Sequence, residues 1–131
     1  MFRENTQGMY IGVEFAQVPE AFYSVPGTEK LPRDAAISFR AITAGGSERI
    51  VRAAFEFARK HGRTRVTAVH KANVLRQTDG VFMDAARSVA ADYPDIAFDD
   101  ANIDAMGMWL LKNPLNYQVI VTTNLFGDII S

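Results

Sequence analysis

Three sets of side chains in this 131-residue sequence have the types and placement that chemistry uses. Lys71 and Asn73 directly follow the apolar run "VTAVH", at the end of a predicted strand, where open α/β sheets bind ligands. A lysine in that position acts as a base when its surroundings let it lose its proton; a solvated surface cation is the plainer reading. Arg3 and Tyr10 flank the start of another predicted strand. There an arginine can hold a carboxylate by two parallel hydrogen bonds, and a tyrosine can donate a proton. A surface arginine beside a half-buried tyrosine fits the segment as well. Asp104 and Asp128 form the third set, with Asp99 and Asp100 close to the first. Hard divalent cations take carboxylate oxygens gathered from separate elements. An aspartate near a helix start is also a favoured cap, so the residue types alone leave both readings open.

Other chemistries are excluded more firmly. The sequence contains no GxGxxG, GxxxxGK[ST], GxSxG or HExxH motif, and His61 and His70 share no metal-ligand spacing. The cluster "TAGGS" reads as a hairpin exit or a helix start, neither needing a ligand. A formal net charge of −1 gives no overall field favouring nucleic acid or an anionic membrane. No apolar run approaches the roughly 20 residues of a membrane span. With no cysteine there is neither a disulfide framework nor thiolate chemistry. The polar start "MFRENTQGMY" is not that of a secretory signal, and a cytoplasmic setting is expected.

The elements that must position these residues alternate. "MYIGVEFA" predicts a strand, and residues 18–44, broken by Pro19, Pro26, Gly27 and Pro32, predict an arm leaving the body of the domain, with a strand in "AAISFRAITA". "GGSERIVRAAFEFARKHG" predicts a helix capped by Ser47, with Ile50, Ala54, Phe57 and Ala58 as its apolar stripe, widened by Val51 and Phe55. A strand over 65–69 follows, then a helix over 79–92 burying Phe82, Ala86 and Val89, a strand in "IAFDDANI", a helix in "DAMGMWLLKNP" and a buried strand in "YQVIVTT". A Gly turn then starts a last helix. The alternation predicts one α/β domain over 1–131 with crossover connections.

Taken in order, "RENTQGMYIGVE", "HKANVLRQTDGVF", "YPDI…NIDAMGMWLLKNP" and "VIVTTNLFGDIIS" resemble the metal-dependent β-decarboxylating dehydrogenases that act on isocitrate, homoisocitrate and 3-isopropylmalate. The resemblance covers nearly the whole chain and is poorest across the arm. It implies the smaller, dimer-forming domain of that family, with an arm that clasps the partner subunit. It also implies roles: Arg3 binds a substrate carboxylate, Tyr10 delivers a proton to carbon after CO₂ leaves, Lys71 helps deprotonate the substrate hydroxyl, and Asn73 approaches the nicotinamide. Asp104 and Asp128 would be ligands of Mg²⁺ or Mn²⁺, which stabilises the enolate formed on decarboxylation. Lys71 and Asp104 would enter the site from the opposite subunit. A homodimer is therefore expected, formed through the helices near 79–92 and 103–113 and the arm. "RENT" favours the isocitrate branch, with NAD or NADP as hydride acceptor.

The family's nucleotide-binding portion and its larger domain have no counterpart in residues 1–131, and neither does the second aspartate one helical turn beyond Asp128. The expected function is thus a dimerisation and partial active-site domain of an isocitrate dehydrogenase-like enzyme, inactive alone because the hydride acceptor has no binding site. The alternative is a non-catalytic protein that reuses the domain to pair with a full-length dehydrogenase or an unrelated partner.

Overall fold

A computed structural model describes residues Met1–Ser131. Its body is a four-stranded, all-parallel sheet of β1 (Phe2–Arg3), β4 (Arg65–His70), β5 (Ala97–Asn102) and β6 (Val119–Thr122), ordered β1-β6-β4-β5. Parallel neighbours need crossovers, and the chain supplies them as α1 (Ala44–Lys60), α2 (Thr78–Ala91) and α3 (Ile103–Lys112), ending in α4 (Asn124–Ile130). The α/β expectation holds.

Alternation along the two central strands explains how helices cover both faces. Val66, Ala68, Val119 and Val121 point to one side and join Val51, Ala54, Phe55 and Ala58 of α1 and Phe82, Met83, Ala86 and Val89 of α2 in the main core. Phe55 stacks on Tyr93 at a centroid distance of 5.1 Å. The opposite face is thinner. Val69 and Ile120 meet Met106 of α3, and the other fully buried strand positions there, Thr67 and Thr122, are polar.

The helices differ from the sequence expectation in detail. Thr43, not Ser47, caps α1: its side chain accepts from Gly46 N at 3.1 Å, while Ser47 Oγ donates to Thr43 O one turn in. The buried stripe of α1 accordingly runs through Val51 and Phe55, and Phe57 is pushed to the surface, packed edge-on against Phe2. The last helix begins at Asn124, so Gly127 is inside it rather than the turn before it.

The predicted strand over 9–16 is mostly absent. Gly8 (φ 91°) and Gly12 (φ 72°) adopt positive-φ backbone on either side of a 3₁₀ turn, Met9–Ile11, and only β2 (Glu14–Phe15) is extended. β2 pairs antiparallel with β3 (Ile37–Ser38). Between them two 3₁₀ turns, Glu20–Ser24 and Thr28–Lys30, fold over a small aromatic cluster of Phe15, Phe22 and Phe39. This arm rejoins the body where Gly8 N donates to Ala41 O at 2.8 Å.

Candidate active site

Because all four strands run the same way, their C-terminal ends lie along one edge of the sheet, and the candidate residues lie along that edge. Arg3 ends β1, Lys71 follows β4, Asp104 lies in the first turn of α3 after β5, and Asp128 is in α4 after β6. The strand order divides them. Arg3 and Asp128 occupy the β1/β6 half, whereas Lys71 and Asp104 occupy the β4/β5 half.

In the first half Asp128 accepts from both Arg3 and Tyr10: Arg3 Nη1 is 2.8 Å from Oδ1, and the Tyr10 hydroxyl is 2.5 Å from Oδ2. The Tyr10 hydrogen bond, followed by the Arg3 charge, holds the Asp128 carboxyl below its ordinary value. The same bond pushes the Tyr10 hydroxyl above its ordinary range, because ionising it would place a second negative charge on the carboxylate. Arg3 is held twice more. Its Nε donates to Asn124 Oδ1 at 2.9 Å, and its guanidinium lies 5.4 Å from the Tyr10 ring centroid. Asn124 and Asp128 are one helical turn apart, so one face of α4 presents both to the same arginine. Gly127 makes the approach feasible: a Cβ built there would come within 2.6 Å of Arg3 Cγ.

In the second half Lys71 Nζ is 2.9 Å from Asp104 Oδ1. The Lys71 hydrogen bond lowers the Asp104 carboxyl from its ordinary value. His70 shapes the turn into Lys71, with Nε2 against Asp100 Oδ1 and Nδ1 accepting from Ala72 N, both at 2.9 Å. Asn73 is exposed in that turn and takes part in none of these bonds.

No hydrogen bond or ion pair runs directly from Arg3, Tyr10 or Asp128 to Lys71 or Asp104. Nor does one chain gather three His, Asp or Glu side chains around a common cation position. Asp104 and Asp128 are each already paired with a cationic side chain of the same chain. Sequence reasoning passes over Asn124, Arg40 and Asp79. The four-residue spacing of Asn124 and Asp128 in "NLFGD" is a readable signal for the first; the other two reveal themselves only through burial.

A parallel sheet covered on both faces, with charged side chains along its C-terminal edge, is the arrangement of an α/β enzyme domain. The chain belongs to the isocitrate/isopropylmalate dehydrogenase family, whose pattern it matches over residues 1–131. It is 47% identical over 131 residues to 3-isopropylmalate dehydrogenase of Archaeoglobus fulgidus, covering 98% of this chain and 35% of that protein. It is 44% identical to homoisocitrate dehydrogenase of Methanocaldococcus jannaschii, covering 100% of this chain and 33% of that one. A regulatory polypeptide of the mitochondrial NAD isocitrate dehydrogenase of Dictyostelium discoideum is also 44% identical, with 100% and 32% covered. In structure the chain resembles the crystal structure of isocitrate dehydrogenase from Methylococcus capsulatus, with a TM-score of 0.83 and 44% identity over 98% of this chain and 35% of that one. The chain thus spans about a third of the length of these relatives. Identities this close to one another do not separate the three substrate branches.

Proposed function

We propose that residues 1–131 are the dimerisation and partial active-site domain of an isocitrate dehydrogenase-like enzyme. The observation that carries this reading is the division of the sheet edge into two charged halves, one bearing Arg3, Tyr10 and Asp128 and the other Lys71 and Asp104. Two copies set face to face would join the first half of one to the second half of the other. Arg3 then binds a carboxylate of a 2-hydroxy tricarboxylate, Lys71 takes the proton of its hydroxyl, Tyr10 returns a proton to carbon, and Asn73 faces the nicotinamide ring of NAD or NADP. Asp128 of one copy and Asp104 of the other are the residues that would hold Mg²⁺ or Mn²⁺. Such an ion, when bound, polarises the substrate's oxygens.

The surface supports association. Met108, Trp109 and Leu111 of α3 are exposed, with Leu111 87% accessible. Apolar side chains grouped in this way mark interaction surfaces. No helix is long and apolar enough to cross a membrane. Purified residues 1–131 are expected to run at twice the mass of one chain in light scattering. With isocitrate, Mn²⁺ and either nucleotide they are expected to form no reduced nicotinamide, because they contain no nucleotide-binding portion. Turnover above that of a Lys71→Ala control overturns the inactive reading, and a monomer at high concentration overturns the paired one.

Similarity to a regulatory polypeptide favours a second reading, in which the domain pairs with a full-length dehydrogenase without catalysing anything itself. Capture of a full-length dehydrogenase from extract, in preference to self-association, distinguishes this reading from the first.

A further inference from the structure

We propose that Arg40 and Asp79 are positioning residues that lock the two halves of the candidate site to each other and to the root of the arm. The functional part of this inference rests on the reading of Lys71 given above; the strut itself does not. Asp79 is wholly buried and Arg40 nearly so, with side-chain accessibilities of 0% and 10%. Neither is near solvent that would stabilise its charge, and a buried carboxylate is retained only where partners compensate it. Asp79 Oδ2 accepts from the backbone N of Lys71 at 2.6 Å. Its Oδ1 lies 2.7 Å from Arg40 Nη2, an electrostatic contact rather than a well-aligned hydrogen bond.

Arg40 reaches further. Nη1 donates to Thr78 Oγ1 at 2.5 Å and Nη2 to Thr123 Oγ1 at 3.0 Å, while the guanidinium lies 5.4 Å from the centroid of Phe126. Thr123 precedes α4, where its carbonyl accepts from Gly127 N at 2.9 Å. One planar fork therefore touches the carboxylate that fixes the Lys71 backbone and the residue that starts the helix bearing Asn124 and Asp128. It does so next to Ala41, where the arm rejoins the body through Gly8. A rigid guanidinium suits three simultaneous contacts; a lysine ammonium at the same place cannot span them.

The test uses the full 131-residue chain and needs no turnover. In Arg40→Lys, which keeps a charge beside Asp79, the amides of Lys71 and Gly127 should exchange faster together, by about tenfold, as expected when one charge-assisted hydrogen bond is lost from a local opening unit. Amides of Ala54 and Val121 should not change. In competitive acetylation with acetic anhydride, Lys71 should gain several-fold in reactivity relative to Lys60 and Lys112, which a merely structural role would not produce. Should Arg40→Lys fail to fold, Thr123→Val decides: it removes only the fork's contact with α4, yet Lys71 exchange should rise. A uniform rise over the chain, a change in one half alone, or an unmoved Lys71 in Thr123→Val overturns the proposal. Exchange and labelling report on the strut even if the catalytic reading of Lys71 fails.

Discussion

The same substitution should have opposite effects in two helices of this domain. Gly107 in α3 and Gly127 in α4 both have ordinary helical backbone, and replacing a helical glycine by alanine usually gains about 1 kcal/mol. Around Gly107 a new Cβ meets nothing within 4 Å, so Gly107→Ala should gain most of that amount. At Gly127 the new methyl would lie 2.6, 2.8 and 2.9 Å from Cγ, Cδ and Cβ of Arg3. These are the root of the side chain, not its flexible end, and the root is fixed because Arg3 is paired with Thr122 in the sheet. Overpacking of this kind costs about 1–3 kcal/mol. Displacing Arg3 also forfeits its bond to Asn124, worth about 1 kcal/mol. Set against the propensity gain, Gly127→Ala should destabilise by about 1–3 kcal/mol, leaving the two variants about 2–4 kcal/mol apart. Urea unfolding followed by circular dichroism at one protein concentration measures both. The Asp128 carboxyl should move back up towards 3.8 in Gly127→Ala as Arg3 withdraws, and carbon-detected NMR titration reads it. A Gly127→Ala chain as stable as Gly107→Ala would refute the close-packing argument.

Three further outcomes follow from the same contacts. Asp128 is depressed below its unfolded value, so its contribution to stability is complete above about pH 3.8 and is lost as pH falls through the lower folded value; Tyr10→Phe should shrink that window, seen as a smaller difference from Asp128→Asn in acid unfolding. Tyr10 should ionise more readily in Asp128→Asn, because the acceptor of its hydroxyl loses its charge, and the tyrosinate absorbance should develop at lower pH than in the parent chain. Phe55→Ala, which empties a fully buried position stacked on Tyr93, should cost about 3–5 kcal/mol in urea unfolding.

The α/β alternation is legible in the sequence because β4 and β6 are valine-rich runs and α2 has an unbroken stripe of Phe82, Ala86 and Val89. The backbone of residues 8–12 is concealed. Two positive-φ glycines there turn a β-rich segment into a 3₁₀ turn, and that turn delivers Tyr10 to Asp128 from the far end of the chain. The start of α1 is hidden for a similar reason. Ser47 is a good cap by type, but Thr43, four residues earlier, captures the Gly46 amide despite the two glycines between. The positions of Lys71, Asp104 and Asp128 at a strand end or in the helices that follow strands can be anticipated, because polar residues directly after apolar strands mark a sheet's edge. That of Arg3 cannot, since the sequence puts it ahead of a strand over 9–16 whereas it ends β1. Arg40 and Asp79 cannot, because an arginine next to an arm and an aspartate in a helix's first turn are both common on surfaces. Only their burial distinguishes them.

That difference in burial sorts the ion pairs of the sheet edge by what they can do. Arg3–Asp128 has side chains 27% and 52% accessible, and Lys71–Asp104 has 25% and 64%. Exposed pairs of this kind contribute little to stability and open readily, so an incoming anion or cation can take over either partner. Arg40–Asp79 cannot be opened so cheaply, since separating it leaves a charge in the interior. The arrangement therefore places exchangeable charges on both halves of the edge and a fixed one between and beneath them. A ligand that breaks Arg3–Asp128 or Lys71–Asp104 rearranges side chains alone, while the backbone of Lys71 and the start of α4 stay where Arg40 holds them.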